Sequence, residues 1–131
     1  MADFPAMTHV AVTVSDLRVS VPWYKTLLGS DPVLDEDTGL FHHTVFLLGD
    51  MLFGLHQHPT SGPGGPFDER NIGLDHIAFG VADRAELETW ADRLDEMGVA
   101  HSEIVDAHYG SGLSFRDPDN IALELFAPPA A

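Results

Sequence analysis

The chain has no cysteine among its 131 residues, which excludes disulfides, thiolate metal sites and thiol nucleophiles together. Basic residues are scarce: six Lys and Arg stand against 21 Asp and Glu, for a formal charge of −15 at pH 7. Lys25 is the only lysine. A negative field of that size repels phosphate backbones and anionic lipid, so neither nucleic acid nor a membrane surface is an expected partner. Long apolar runs are missing too. Val10 to Val14 and Met51 to Leu55 fall far short of the roughly 20 residues that span a bilayer. Met1 to Met7 has no basic region and no long apolar core, so no secretory signal is read there. The expectation is a cytoplasmic protein of one domain, long enough to bury a core without covalent staples.

What the chain does contain is a repeat. His9-Val-Ala-Val-Thr-Val-Ser-Asp16 lies over His76-Ile-Ala-Phe-Gly-Val-Ala-Asp83 without a gap, and four of the eight positions are identical. Each octet runs into a helical pattern that ends in glycine, at Leu28-Gly29 and at Met97-Gly98. Each half closes on a short apolar strand, Met51 to Leu55 and Ile121 to Phe126. Between the halves, Pro59 to Pro66 is too rich in Pro and Gly for helix or inner strand. This predicts a module over about 5–58, a linker over about 59–71 and a second module over about 72–128.

In the second helix Asp83 and Glu86 have capping-box spacing, and Leu87, Trp90, Ala91, Leu94 and Met97 form an apolar stripe. In the first, Pro22 fits only a first turn, which points to Ser20 as N-cap with Asp16 in a looser turn before it. Strands are expected at Thr44 to Leu48, Met51 to Leu55, Leu113 to Phe115 and Ile121 to Phe126, with weaker ones at Val33–Leu34 and His101 to Val105. The order is β-α-β-β-β, twice, an α+β fold.

Strand parity then sorts the faces. Val10, Val12 and Val14 oppose His9, Ala11 and Thr13; Ile77, Phe79 and Val81 oppose His76, Ala78 and Gly80. Apart from the histidines the second set is small, which leaves space for something other than protein. In the last strand Ile121, Leu123 and Leu125 take the bulky parity and Glu124 the other. A carboxylate on an apolar strand must be paired, protonated or bound to a cation, and with so few basic residues a metal is the economical partner. Two imidazoles and a carboxylate, His9, His76 and Glu124, would hold a divalent ion and leave positions open for substrate. The first half aligns Gly54 with Glu124 and offers no ligand there. His56, two residues on, is a fourth ligand or a proton-transfer base; His58 shares its face at the strand end. His42, His43, His101 and His108 have no repeat partner and read as exposed loop residues. Tyr109-Gly-Ser-Gly112 reads as a flexible segment that either closes over a ligand, with Tyr109 as acid or hydrogen-bond donor, or is a plain turn.

These stretches, with Trp23-Tyr24 and Phe115-Arg-Asp-Pro-Asp-Asn-Ile-Ala-Leu-Glu124, resemble the vicinal-oxygen-chelate superfamily, the glyoxalase/bleomycin-resistance/dioxygenase group. The resemblance covers nearly the whole chain. It implies tandem βαβββ modules whose sheets curl into an open cup around a divalent ion (Fe, Mn, Ni, Co or Zn), with His9, His76 and Glu124 matching ligand positions. It also implies a small-molecule substrate and a homodimer. Gly54 departs from glyoxalase I-like members, which carry an acidic fourth ligand there, and the anion-binding basic residues of fosfomycin-modifying members are not evident. Besides a metal-carrying regulatory or interaction module without turnover, two functions follow. One is a metalloenzyme of lyase, isomerase or dioxygenase type, using Glu124, His56 and Tyr109 on a substrate chelated through vicinal oxygens. The alternative is a non-catalytic binder of a cationic drug, to which the acidic charge and Trp23, Phe41, Phe53 and Phe67 would contribute.

Overall fold

A computed structural model describes residues 3–130 of the chain. Its contacts divide it into two compact units, Met1–Gly65 and Pro66–Ala131. The first contains β1 (His9–Thr13), α1 (Leu17–Leu28), β2 (Leu34–Asp37), β3 (His42–Leu48) and β4 (Met51–Gln57). The second contains β5 (Ile77–Gly80), α2 (Arg84–Glu96), β6 (Val105–Ala107), β7 (Gly110–Arg116) and β8 (Ala122–Ala127). The βαβββ order therefore occurs twice, as the repeat predicts. Each unit carries one four-stranded sheet, ordered β1-β4-β3-β2 and β5-β8-β7-β6. The first strand of each runs parallel to the last, and the remaining pairs are antiparallel hairpin neighbours. A parallel pair needs a long crossover, and the helix with the two intervening strands supplies it.

Burial alternates along the strands as the sequence parity requires. On β1 and its extension Val12 and Val14 are buried, while His9, Ala11 and Thr13 are exposed. On β8 Leu123, Leu125 and Ala127 are buried, and Ala122, Glu124 and Phe126 between them are half-buried. In the first unit the covered face holds Phe46, Phe53 and Leu55 under Tyr24 of α1, whose ring centroid lies 5.3 Å from that of Phe53. In the second, Leu87 and Leu94 of α2 join Leu113, Phe115 and Leu123. Each fully buried aliphatic or aromatic side chain contributes roughly 1.5–3 kcal/mol, so these layers fix which sheet face remains open.

The second helix starts as expected. Asp83 Oδ1 accepts from Glu86 N (2.9 Å), and Glu86 Oε2 reaches back to Ala82 N (2.7 Å). Gly98, with φ of 73°, follows its end. The first helix corrects the sequence reading. Its N-cap is Asp16, which accepts from Arg18 N, and Gln57 Oε1 accepts from Leu17 N at 2.8 Å. Ser20 is inside the helix and Pro22 lies beyond its first turn. Burial of Tyr24 and Leu27, with a strong cap, outweighs the roughly 3 kcal/mol that an interior proline costs.

Strand limits also differ. β3 begins at His42, so His42 and His43 are strand residues and not loop residues. β7 begins at Gly110, so the Gly110–Gly112 stretch is sheet and not a flexible segment. His101 makes an isolated bridge to Phe115, and β6 starts only at Val105. Among the described residues no helix is long and apolar enough to cross a membrane.

Candidate metal centre

In the second unit, His76 immediately precedes β5 and Glu124 sits mid-β8, opposite Ala78 on one side and Ser114 on the other. Both belong to the open face. His76 Nδ1 donates to Asp75 Oδ1 at 2.7 Å, which fixes the tautomer and leaves Nε2 as the ring's available donor pair. Glu124 accepts no hydrogen bond and forms no ion pair within its unit, among the described residues. Its carboxylate rests over Gly112 of β7: a Cβ on that glycine would stand 3.3 Å from Glu124 Cδ and 3.4 Å from Oε1. Small residues thus clear the space into which the acid projects. A cavity of about 260 Å³ opens here, lined by Glu69, Asp75, His76, Ser114, Arg116 and Glu124 among others.

Arg116 does not neutralise Glu124. Its guanidinium is taken by Glu69 in a two-pronged pair, Nη1 to Oε1 at 2.8 Å and Nη2 to Oε2 at 2.7 Å, and Nη1 also donates to Asn120 O at 3.1 Å. This pairing holds the Glu69 carboxyl down at about 2.

In the first unit, His9 occupies the matching place at the start of β1, and the Thr8 hydroxyl engages its Nδ1 at 2.8 Å. The two repeat histidines therefore share one arrangement, in which the preceding side chain occupies Nδ1. Gly54 faces Ala11 in the register, as Glu124 faces Ala78. The vacancy is used. His56 folds back so that its Nε2 would lie 3.5 Å from a Cβ on Gly54. Phe41 stacks on His56 with centroids 4.7 Å apart and planes 23° from parallel, and His43, its cross-strand partner, meets it edge-on at 5.1 Å. Burial lowers the His56 pKa below its ordinary value, and His43, His58 and His9 push it further down.

The structure thus gathers His76 with Glu124 in one unit and His9, His43 and His56 in the other. Among the described residues of either unit, no three His, Asp or Glu side chains stand as a ligand set for a metal. Tyr109 is 64% exposed in the β6–β7 turn, its ring roughly parallel to Phe126 at 6.2 Å. Of the aromatics considered for ligand stacking, Phe53 is 1% exposed and belongs to the core. The sequence reading misses the place of His43 beside His56 because β3 is started two residues late there. Extending the alternation back from Val45 would have put His43 on the open face. Glu69 and Gly112 carry no sequence signal of their own.

The donors fit a divalent cation. Glu124 is an acid without an internal partner, and His76 and His9 each have one ring nitrogen engaged and the other free. Such a fold is a paired-βαβββ scaffold. The model of the Glyoxalase/Bleomycin resistance protein/Dioxygenase superfamily matches residues 6–125, and the chain belongs to that superfamily. The chain is similar to the Metallothiol transferase FosB of Staphylococcus haemolyticus, 26% identical over 121 residues, covering 91% of this chain and 81% of that one. It is also similar to Biphenyl-2,3-diol 1,2-dioxygenase 3 of Rhodococcus globerulus, 28% identical over 138 residues, covering 95% and 66% of the two chains. The crystal structure of a glyoxylase/bleomycin resistance protein/dioxygenase domain from Frankia sp. EAN1pec superposes with a TM-score of 0.87 and 31% identity, over 98% of this chain and 96% of that one.

Proposed function

We propose that the chain is a metal-dependent enzyme acting on a small molecule that presents two neighbouring oxygens. The observation that carries this reading is the Glu124 carboxylate, partnerless in its unit and leaning over Gly112 on the face that bears His76. His9, His76 and Glu124 would hold the ion. Bound there, a divalent cation supplies a Lewis acid that polarises chelating oxygens and stabilises negative charge developing on them.

The remaining roles fall to the chain. Asp75 and Thr8 orient the two imidazoles by occupying Nδ1. His56, which burial favours in its neutral form, is the base that accepts a proton at Nε2. Tyr109 donates a hydrogen bond from its phenol to substrate. The names of the relatives, a metallothiol transferase and a diol dioxygenase, support a metal-dependent reaction without choosing between them. A homodimer is part of the proposal; exposed Leu34, Leu47 and Leu52 share the open face of the first sheet and offer an apolar surface.

The test is metal content. Wild-type protein should bind Fe, Mn, Co, Ni or Zn at one equivalent, and His76→Ala and Glu124→Gln should lose it while keeping the circular dichroism of the wild type. Equal occupancy in all three removes the site. Turnover of a 2-oxoaldehyde, a catechol or an epimerisable acyl compound by the loaded protein then identifies the reaction class; binding of a cationic drug without metal would favour the sequestering function instead.

A further inference from the structure

Arg116 is the one basic side chain lining the cavity beside His76 and Glu124. It projects from β7 on the open face, two residues from Ser114, which is paired with Glu124. A guanidinium lining the same cavity as the acid proposed to bind metal is the group that would hold an anionic substrate, because its fork matches phosphonate or carboxylate oxygens. Here the fork is full. Glu69 takes both terminal nitrogens at 2.7 and 2.8 Å, and Asn120 O takes a further bond.

Two of the other acids nearby are already engaged. Asp68 is paired with Arg70 at 2.7 Å, and Asp75 accepts from His76 at 2.7 Å. Glu69 is not needed to tether its segment either. Phe67 N donates to Asp119 O at 3.0 Å, and Asn120 Nδ2 donates to Phe67 O at 3.0 Å. The pair therefore changes the charge of the cavity more than it fastens the chain. With Arg116 cancelled by Glu69, the cavity presents the uncompensated charge of Glu124, which repels a phosphonate and tolerates an uncharged ligand.

We infer that Glu69 is a specificity-determining residue that, by occupying Arg116, closes this cavity to phosphonates and other tetrahedral oxyanions and reserves it for uncharged ligands with chelating oxygens. The inference rests on the proposed site for its substrate, yet its anion half is measurable on metal-free protein.

The experiment titrates methylphosphonate into metal-free wild type, Glu69→Gln and the double variant Glu69→Gln/Arg116→Gln, following the Arg116 Nε–H and Ser114 amide resonances. Gln keeps one acceptor for Arg116 and removes the charge. Glu69→Gln should bind roughly tenfold tighter than wild type or better, as a freed charge-assisted pair allows, and the double variant should return to the wild-type level. Equal binding by wild type and Glu69→Gln, or a gain that survives loss of Arg116, overturns the inference. If Glu69→Gln does not fold, Glu69→Ala removes the same charge and carries the same comparison. A parallel Co(II) titration separates the two ideas: wild type that takes no Co(II) sinks the metal site, while the methylphosphonate series still decides whether Glu69 guards Arg116.

Discussion

Glu124 and Gly112 lie on one face of β8 and β7, offset by two residue pairs, and the acid lies against the place where a side chain at 112 would begin. A methyl group there would sit 3.3–3.5 Å from all three carboxyl atoms, so the carboxylate must shift by a few tenths of an ångström or turn away. Gly112→Ala is expected to leave the melting temperature nearly unchanged and to lower Co(II) affinity by roughly 10–100-fold, the usual effect of disturbing a ligand's support. Calorimetric titration of Co(II) measures it. Wild-type affinity in a folded Gly112→Ala protein would show that Glu124 does not need this orientation.

His56 is held over Gly54 by Phe41, and its lowered pKa comes first from burial. Removing the stacked ring admits water. Phe41→Ala should therefore raise the His56 pKa toward its ordinary 6.5, and His43→Gln should raise it by less, since His43 is the second cause. Imidazole Cε1–H shifts followed against pH give the values. No movement in Phe41→Ala would show that the ring does not shield His56.

His101 titrates in the opposite direction. Its Nδ1 donates to Ser102 O at 2.7 Å and its Nε2 meets Asp95 Oδ1 at 2.8 Å, and the Ser102 carbonyl is the larger cause of a raised pKa. A group with a raised folded pKa contributes stability that is complete below its unfolded value, near 6.5, and is lost as pH rises through the folded one. Wild-type stability should thus fall from pH 6 toward pH 8 more steeply than that of His101→Gln, about neutrality. Urea midpoints at several pH values read the difference, and parallel curves would exclude the linkage.

Glu69 governs the acid side. Its carboxyl titrates at about 2 in the folded protein against an ordinary 4.5, chiefly through Arg116. The stabilisation from this pair is present above pH 4.5 and is lost as pH falls toward 2. Glu69→Gln should flatten that part of the acid unfolding curve, monitored by circular dichroism; an unchanged slope would mean that the pair is solvated away.

Much of the architecture is legible in the amino-acid order, for a physical reason. A period of two in Val10, Val12 and Val14, repeated in Ile77, Phe79 and Val81, assigns faces before any contact is known. The repeat then puts Gly54 in register with Glu124, and the strand pairings reproduce that correspondence. Failures arise where a tertiary contact overrules a local preference. Gly110 and Gly112 look like a loose turn, yet β7 needs both: a Cβ at Gly110 would come within 2.3 Å of Phe126 Cζ. Pro22 looks like a first-turn residue, yet Asp16 caps the helix six residues earlier. The Glu69–Arg116 pair spans 47 residues with no periodicity to announce it.

Ser20 is where the mistaken N-cap leaves a mark. Its side chain is 1% exposed, and its Oγ has no hydrogen-bond partner among the described residues. A buried hydroxyl without a partner forfeits its hydration for nothing, a cost of roughly 1–3 kcal/mol. Alanine at this position removes the hydroxyl, adds helix propensity and creates a void no larger than one oxygen. Ser20→Ala should stabilise the protein by about 1 kcal/mol, read as a higher urea midpoint at constant slope. A serine that caps the helix would give the reverse, a loss of about 1 kcal/mol on the same substitution, so the sign of one measurement decides between Asp16 and Ser20 as the residue that starts α1.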